Sequence, residues 1–227
     1  MWRRFSSSNL RGMARPSERP PRVRSGVLFI FDLDGTLYRT ETSFLPAVLE
    51  VFRQQHLASP DRDDVMSLVG EPLGRQNEWL EAHRFPKEAL PFLEEAEFRL
   101  IRDAGELYPD VFETLVCLRR RGHTLVICTN GREVYARAVL EACGILDLFD
   151  EVRARRPGDT EKAGMVADLL GRIPHQQAIV VGDRFHDILA ARANGCLAIG
   201  AGYGYARPDE LAGADQVLSS FRALLDF

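Results

Sequence analysis

A short apolar run, Val27-Leu-Phe-Ile-Phe31, breaks off at Asp32-Leu33-Asp34-Gly35-Thr36. Carboxylates at alternate positions project to the same side if strand geometry continues, and the Gly-Thr behind them turns the chain. One such carboxylate can serve as nucleophile and metal ligand while its neighbour gives and takes a proton. The alternative is an Asp-rich turn with glycine, common in any loop. The position directly after a buried-strand pattern favours chemistry.

Gly182-Asp183-Arg-Phe-His-Asp187 also follows an apolar run. Asp183 and Asp187 lie near one another if the segment begins a helix, since positions i and i+4 share a face. Carboxylate oxygens suit magnesium; otherwise Asp183 merely caps a helix. Thr129-Asn130-Gly131 offers a hydroxyl, a side-chain amide and unhindered backbone amides, which together can hold phosphate oxygens at a helix start. It also reads as an ordinary turn. Lys162, the only lysine beyond Lys87, could neutralise a carboxylate and a phosphoryl oxygen together, or stand as a solvated charge.

The elements that must position these residues follow from periodicity. Continuous apolar runs at Val27–Phe31, Thr124–Cys128, Ala178–Val181 and Leu197–Gly200 predict buried strands, with a weaker one around Phe149–Val152. Helical patterns lie between them, at Asp110–Arg121, Glu133–Cys143 and Lys162–Leu170. Strands alternating with helices of this length predict an α/β fold with a mainly parallel sheet, whose ligands bind beyond the carboxyl ends of the strands. Residues 44–106 hold helical patterns only, at Leu45–His56, Arg62–Leu68, Gln76–His83 and Lys87–Ala104. They predict a helical cap inserted into a core made of residues 27–43 and 107–227.

Among the 227 residues, 45% are hydrophobic and 27% charged, as in an ordinary globular protein. Residues 1–26 carry seven arginines and one acid, leaving 22 basic and 32 acidic residues in the body. An acidic body argues against nucleic acid as a partner, and no apolar stretch is long enough for a membrane span. The basic leader reads as a disordered extension, an organellar transit peptide, or a start called too early, with Met13 as the alternative. Cys117, Cys128, Cys143 and Cys196 show no paired spacing and fit reduced core positions in a cytoplasmic protein. Oligomeric state is not legible.

In order, Phe31-Asp32-Leu-Asp34-Gly-Thr-Leu37, Thr129-Asn-Gly131, Lys162 and Gly182-Asp183-x-x-x-Asp187 resemble the four motifs of haloacid-dehalogenase-like hydrolases. The helical insert, Tyr108-Pro-Asp-Val-Phe-Glu-Thr-Leu115 and Ala190-Ala-Arg-Ala-Asn-Gly195 are similar to the phosphoglycolate-phosphatase-like subgroup. The resemblance implies a Rossmann-like doubly wound core and a magnesium-dependent phosphatase acting on a small phosphorylated metabolite: phosphoglycolate-like, a sugar phosphate or a nucleotide monophosphate. It implies that Asp32 forms an aspartyl-phosphate and that Asp34 is the acid and base. Asp32, Asp34, Asp183 and Asp187 would serve the metal, and Thr129, Asn130, Gly131 and Lys162 the phosphoryl group. Asp34 sets the chain apart from dehalogenases, and the scarcity of cap lysines from phosphonate-cleaving relatives. A sugar-phosphate mutase and a catalytically silent binding protein are the remaining alternatives. Arg75 and Arg84 are candidates for gripping a second anionic group of the substrate. His83 and His186 stay ambiguous.

Overall fold

The computed structural model describes residues 26–71, 73–207 and 209–227. Apart from Gly26, the leader lies outside the described residues. No described helix is long and apolar enough to cross a membrane.

The strands are β1 (Leu28–Phe31), β2 (Thr124–Thr129), β3 (Glu151–Ala154), β4 (Ala178–Gly182), β5 (Leu197–Ala201) and β6 (Gln216–Leu218). They form one parallel sheet in the order β3-β2-β1-β4-β5-β6. β6 is absent from the sequence reading because three residues at a sheet edge, two of them exposed, leave no apolar run to detect. β1 lies centrally between β2 and β4, and every residue in it is buried.

Alternation along β1 divides the core into two layers. Phe29 and Phe31 face a cluster built with α5 (Val111–Arg120) and α6 (Glu133–Ala142), through Leu115, Leu118, Val139 and Leu140. Leu28 and Ile30 face the other layer, where α7 (Lys162–Arg172) and α8 (Phe185–Ala193) contribute Met165, Val166, Leu169 and Ile188. Helices on both faces explain why the central strands are apolar throughout.

Between β1 and α5 lie α1 (Phe44–Gln54), α2 (Arg62–Met66), α3 (Leu73–Ala82) and α4 (Leu90–Ala104). Asp61 caps α2, its carboxylate accepting from the backbone N–H groups of Asp63 and Asp64. The pattern at Lys87–Ala104 divides into a single 3-10 turn (Lys87–Ala89) followed by α4, with Pro91 in the first turn where its missing N–H costs nothing. These helices bury an apolar cluster of their own, centred on Phe52, Val48, Val51, Val65, Phe85 and Leu93. Trp79 and Phe85 lie against Phe52 with ring centroids 5.7 and 5.3 Å away. His83 stacks on Trp79 at 4.0 Å and bonds its carbonyl, so it belongs to this packing.

Phe31 is fully buried and packs against Phe29, Phe149 and Phe221, one position before Asp32. Phe31→Ala is expected to cost about 3–5 kcal/mol through lost transfer energy and a cavity, read by chemical denaturation monitored by circular dichroism.

Candidate active site

Asp32 continues β1, its backbone N–H donating to the Val181 carbonyl of β4. The chain then turns through Gly35 at φ +77°, a conformation that glycine adopts freely. A Cβ on Gly35 would also lie 2.2 Å from Asp183 Oδ2, so the turn has no room for another residue. Asp34 is thereby held beside Asp32, and its Oδ1 accepts from Thr40 Oγ1 at 2.7 Å and Tyr135 Oη at 2.5 Å. Burial raises the Asp34 carboxyl above the ordinary carboxylate range, while those two hydrogen bonds pull it down.

Asp183 follows β4 and is wholly buried, with Oδ2 accepting from the Tyr205 backbone N–H at 2.7 Å. Asp187 is not paired with it along one helix face, because α8 begins only at Phe185. Instead Asp187 sits in the first turn, where Oδ2 accepts from the Arg184 N–H at 3.1 Å and Oδ1 faces Lys162 Nζ at 2.5 Å. The helix-capping part that the sequence offered to Asp183 falls to Asp187. At Gly182, a Cβ would collide with Asp187 Cγ at 2.0 Å, so this approach also depends on glycine.

Lys162 opens α7 and is buried, its ammonium bridging Asp32 Oδ1 and Asp187 Oδ1. The two carboxylates beside it raise the ammonium well above its ordinary range, against burial, the largest single influence. The solvated-charge reading of this lysine therefore does not hold. Burial raises Asp32 as well, with Lys162 opposing and Asp187 and Asp34 reinforcing. Asp183 is raised further, by burial and then by the neighbouring charges of Asp32 and Asp187.

Thr129 ends β2, and its Oγ1 accepts from the Gly131 N–H at 3.0 Å. Asn130 is differently engaged from the sequence expectation. Its side chain donates to the Gly70 carbonyl at 3.1 Å and accepts from Arg155 at 2.8 Å, so both ends of the amide are taken by protein partners. Asn130 and Gly131 nevertheless line one cavity with Asp34, closed from above by Phe44, Gly70, Gln76 and Glu97 of the helical insert.

Asp32, Asp183 and Asp187 place carboxylate oxygens within 4.8 Å of one another. Asp32 Oδ2 and Asp183 Oδ1 are buried and accept no hydrogen bond. Buried, unpartnered carboxylate oxygens facing each other fit a small hard cation and suit magnesium's preference for oxygen donors. With Asp34, four buried acids meet one lysine, a balance that favours further positive charge.

Sequence reasoning missed Tyr135, Thr40, Arg184 and Glu97. Tyr135 shares the inward stripe of α6 with Ala136, Val139 and Leu140, and a phenol on such a stripe needs a partner for its hydroxyl. Glu97 interrupts the buried stripe of α4 between Leu93 and Ile101, a departure visible in the sequence. Arg184, buried between the two acids of its motif, reaches the Val69 carbonyl, Glu71 at 2.8 Å and Glu210 at 2.9 Å. Arg75 and Arg84 do not line the cavity. Arg75 is exposed and pairs with Glu78 at 3.4 Å, and Arg84 is exposed. His186 stacks on Phe185 and lies 3.8 Å from Glu71, at the edge of the motif loop.

A family model described as haloacid dehalogenase-like hydrolase matches residues 27–195. The chain is 31% identical to the phosphoglycolate phosphatase of Caulobacter vibrioides over 212 residues, covering 87% of this chain and 88% of that one. It is 31% identical to the probable phosphatase IndB of Dickeya dadantii over 200 residues, covering 83% and 86%. The fold matches the crystal structure of a predicted phosphoglycolate phosphatase from Haemophilus somnus with TM-score 0.77 at 24% identity, covering 90% and 98%.

The loop leading to Lys162 is fixed by Arg153, whose guanidinium binds both oxygens of Asp159 at 2.8 Å. Those hydrogen bonds lower the Asp159 carboxyl from 3.8 to about 2. A carboxyl lowered by folding stabilises the native state fully above its unfolded value and loses that contribution as pH falls through the folded one. The stability attributable to Asp159 is thus complete above pH 4 and lost towards pH 2. Thermal melts over this window should show a smaller acid-induced fall for Asp159→Asn than for the wild type.

Proposed function

The chain belongs to the haloacid dehalogenase-like hydrolases, and we propose on that premise that it is a magnesium-dependent phosphatase of small phosphomonoesters, working through an aspartyl-phosphate. The observation that carries this reading is the buried convergence of Asp32, Asp34, Asp183 and Asp187 around Lys162 at the carboxyl ends of β1 and β4. Similarity to phosphoglycolate phosphatases supports the reaction class.

In this reading an oxygen of Asp32 attacks phosphorus while the bond to the leaving alcohol breaks. Asp34 donates its proton to that departing oxygen, and burial, which raises its carboxyl, favours the protonated form that this role needs. Asp34 then accepts a proton from a water attacking the same phosphorus, which breaks the Asp32–phosphorus bond and releases phosphate. Tyr135 and Thr40 fix the Asp34 carboxylate in orientation throughout. Lys162 favours the ionised form of Asp32 against burial and offers charge to the phosphoryl oxygens, with the Thr129–Gly131 turn following β2. Asp32, Asp183 and the Asp34 carbonyl would hold the magnesium, with Asp187 in support. Bound there, the ion would neutralise the acids and the phosphoryl charge. The helices of residues 44–106 act as a cap that excludes bulk water from the cavity.

The test is phosphate release from a panel of phosphomonoesters with magnesium. Asp32→Asn is expected to lower kcat on the order of a thousandfold or more, and chelation to abolish turnover reversibly. Release that survives in Asp32→Asn would overturn the reading. A phosphorylated Asp32 that forms and persists without releasing phosphate would point to a mutase instead.

A further inference from the structure

The geometry points to Glu97 as the residue that reads the leaving group, selecting a neutral, hydroxyl-bearing alcohol over one that carries a carboxylate. This rests on the phosphatase reading above and names the substrate class of that site.

The departing oxygen must lie against Asp34, the proton donor, so the alcohol portion of the substrate occupies the cavity that Asp34 opens into. That cavity is about 90 Å³, enough for a small moiety under the closed helices. Its lining contains three acids, Asp34, Glu71 and Glu97, against a single cation, Arg132. Two of the charges are already committed: Arg132 pairs with Glu94 at 2.9 Å, and Glu71 with Arg184 at 2.8 Å. Glu97 and Gln76 remain. Among the described residues, neither side chain makes a hydrogen bond or ion pair, and both are half-buried against the cavity.

α4 explains why Glu97 faces this way. Leu93, Ala96 and Ile101 turn its apolar stripe onto the insert and the sheet layer, and Glu97 occupies the same stripe one turn beyond Leu93. Its carboxyl is raised to about 8, by burial first and then by the charge of Asp34, with Arg132 opposing. With that carboxyl ionised, as it is above about pH 8, a second anion brought beside it adds like-charge repulsion in a poorly solvated space, and Arg132, the one cation in the lining, is already shared with Glu94. A hydroxyl donates to the ionised carboxylate, and Gln76 can give and accept alongside. Arg75 and Arg84, the cationic candidates for a carboxylate, both lie outside the cavity lining.

The experiment compares kcat/KM at about pH 9, where Glu97 is ionised, for two esters of matched size, 2-hydroxyethyl phosphate and 2-phosphoglycolate, in the wild type, Glu97→Gln and Glu97→Arg. p-Nitrophenyl phosphate serves as a generic control, with magnesium present throughout. The wild type is expected to prefer the hydroxyethyl ester by on the order of tenfold or more. Glu97→Gln should shrink that ratio and Glu97→Arg should reverse it. Because the ratio is read within each variant, a partly unfolded preparation lowers both rates and leaves the ratio intact. Preference of the wild type for phosphoglycolate, or one ratio common to all three proteins, would overturn the assignment while leaving the phosphatase reading in place. Failure of the wild type to turn over p-nitrophenyl phosphate or either ester would remove both.

Discussion

Four buried carboxylates, two of them paired with one ammonium, at the end of a parallel sheet form the constraint on which the remainder of the molecule depends. Such an arrangement is costly, because burial disfavours every ionised group it contains. The fold sustains it by bringing each acid in on a different device. Asp32 is an extension of the central strand. Asp34 is held by hydroxyls from two elements, Asp183 by the backbone of the loop after β5, and Asp187 by the first turn of α8. Lys162 ties the halves together across β1 and β4.

Rigidity of the sheet supports this directly. β1 is bonded on both sides and apolar on both faces, so Asp32 starts from a backbone fixed by packing on each side. The insert above the sheet is anchored by the same loops that carry the polar groups. Asn130 holds the Gly70 carbonyl, and Arg184 holds Val69 and Glu71. Loops that would otherwise serve only the chemistry therefore also set the position of the helices above them.

Much of the sheet was legible in the sequence because buried parallel strands are unbroken apolar runs, and β1, β2, β4 and β5 leave that signature, whereas β3, Glu-Val-Arg-Ala, gave only a weak one displaced towards Phe149. β6 left none, since Gln216 and Val217 are exposed at the edge. The acids and Lys162 could be singled out because each follows directly on an apolar run or stands as a lone lysine, and the structure brings Asp32, Asp183, Asp187 and Lys162 into contact. The partners of the Asn130 side chain, Gly70 and Arg155, lie 60 and 25 positions away along the chain, and no local pattern announces them. Tyr135 and Glu97 mark themselves as polar groups in apolar stripes, but the stripe does not say what each one faces, Asp34 for Tyr135 and the cavity for Glu97. Arg75 and Arg84 attracted attention as cationic candidates, although their charge is on the outside of the insert.

The insert keeps a hydrophobic cluster separate from the two that flank the sheet. Away from the end of α4, where Phe98 and Ile101 join the sheet layer, its helices can thus accept substitutions that alter the roof of the cavity without loosening the strands that fix Asp32 and Asp183, since distant, independently packed sites contribute nearly additively. The chain thereby divides the labour between an engine at the sheet end and a lock above it. A lineage could exchange one alcohol for another by drift in α3 and α4, while the chemistry at the sheet end stayed under unchanged selection.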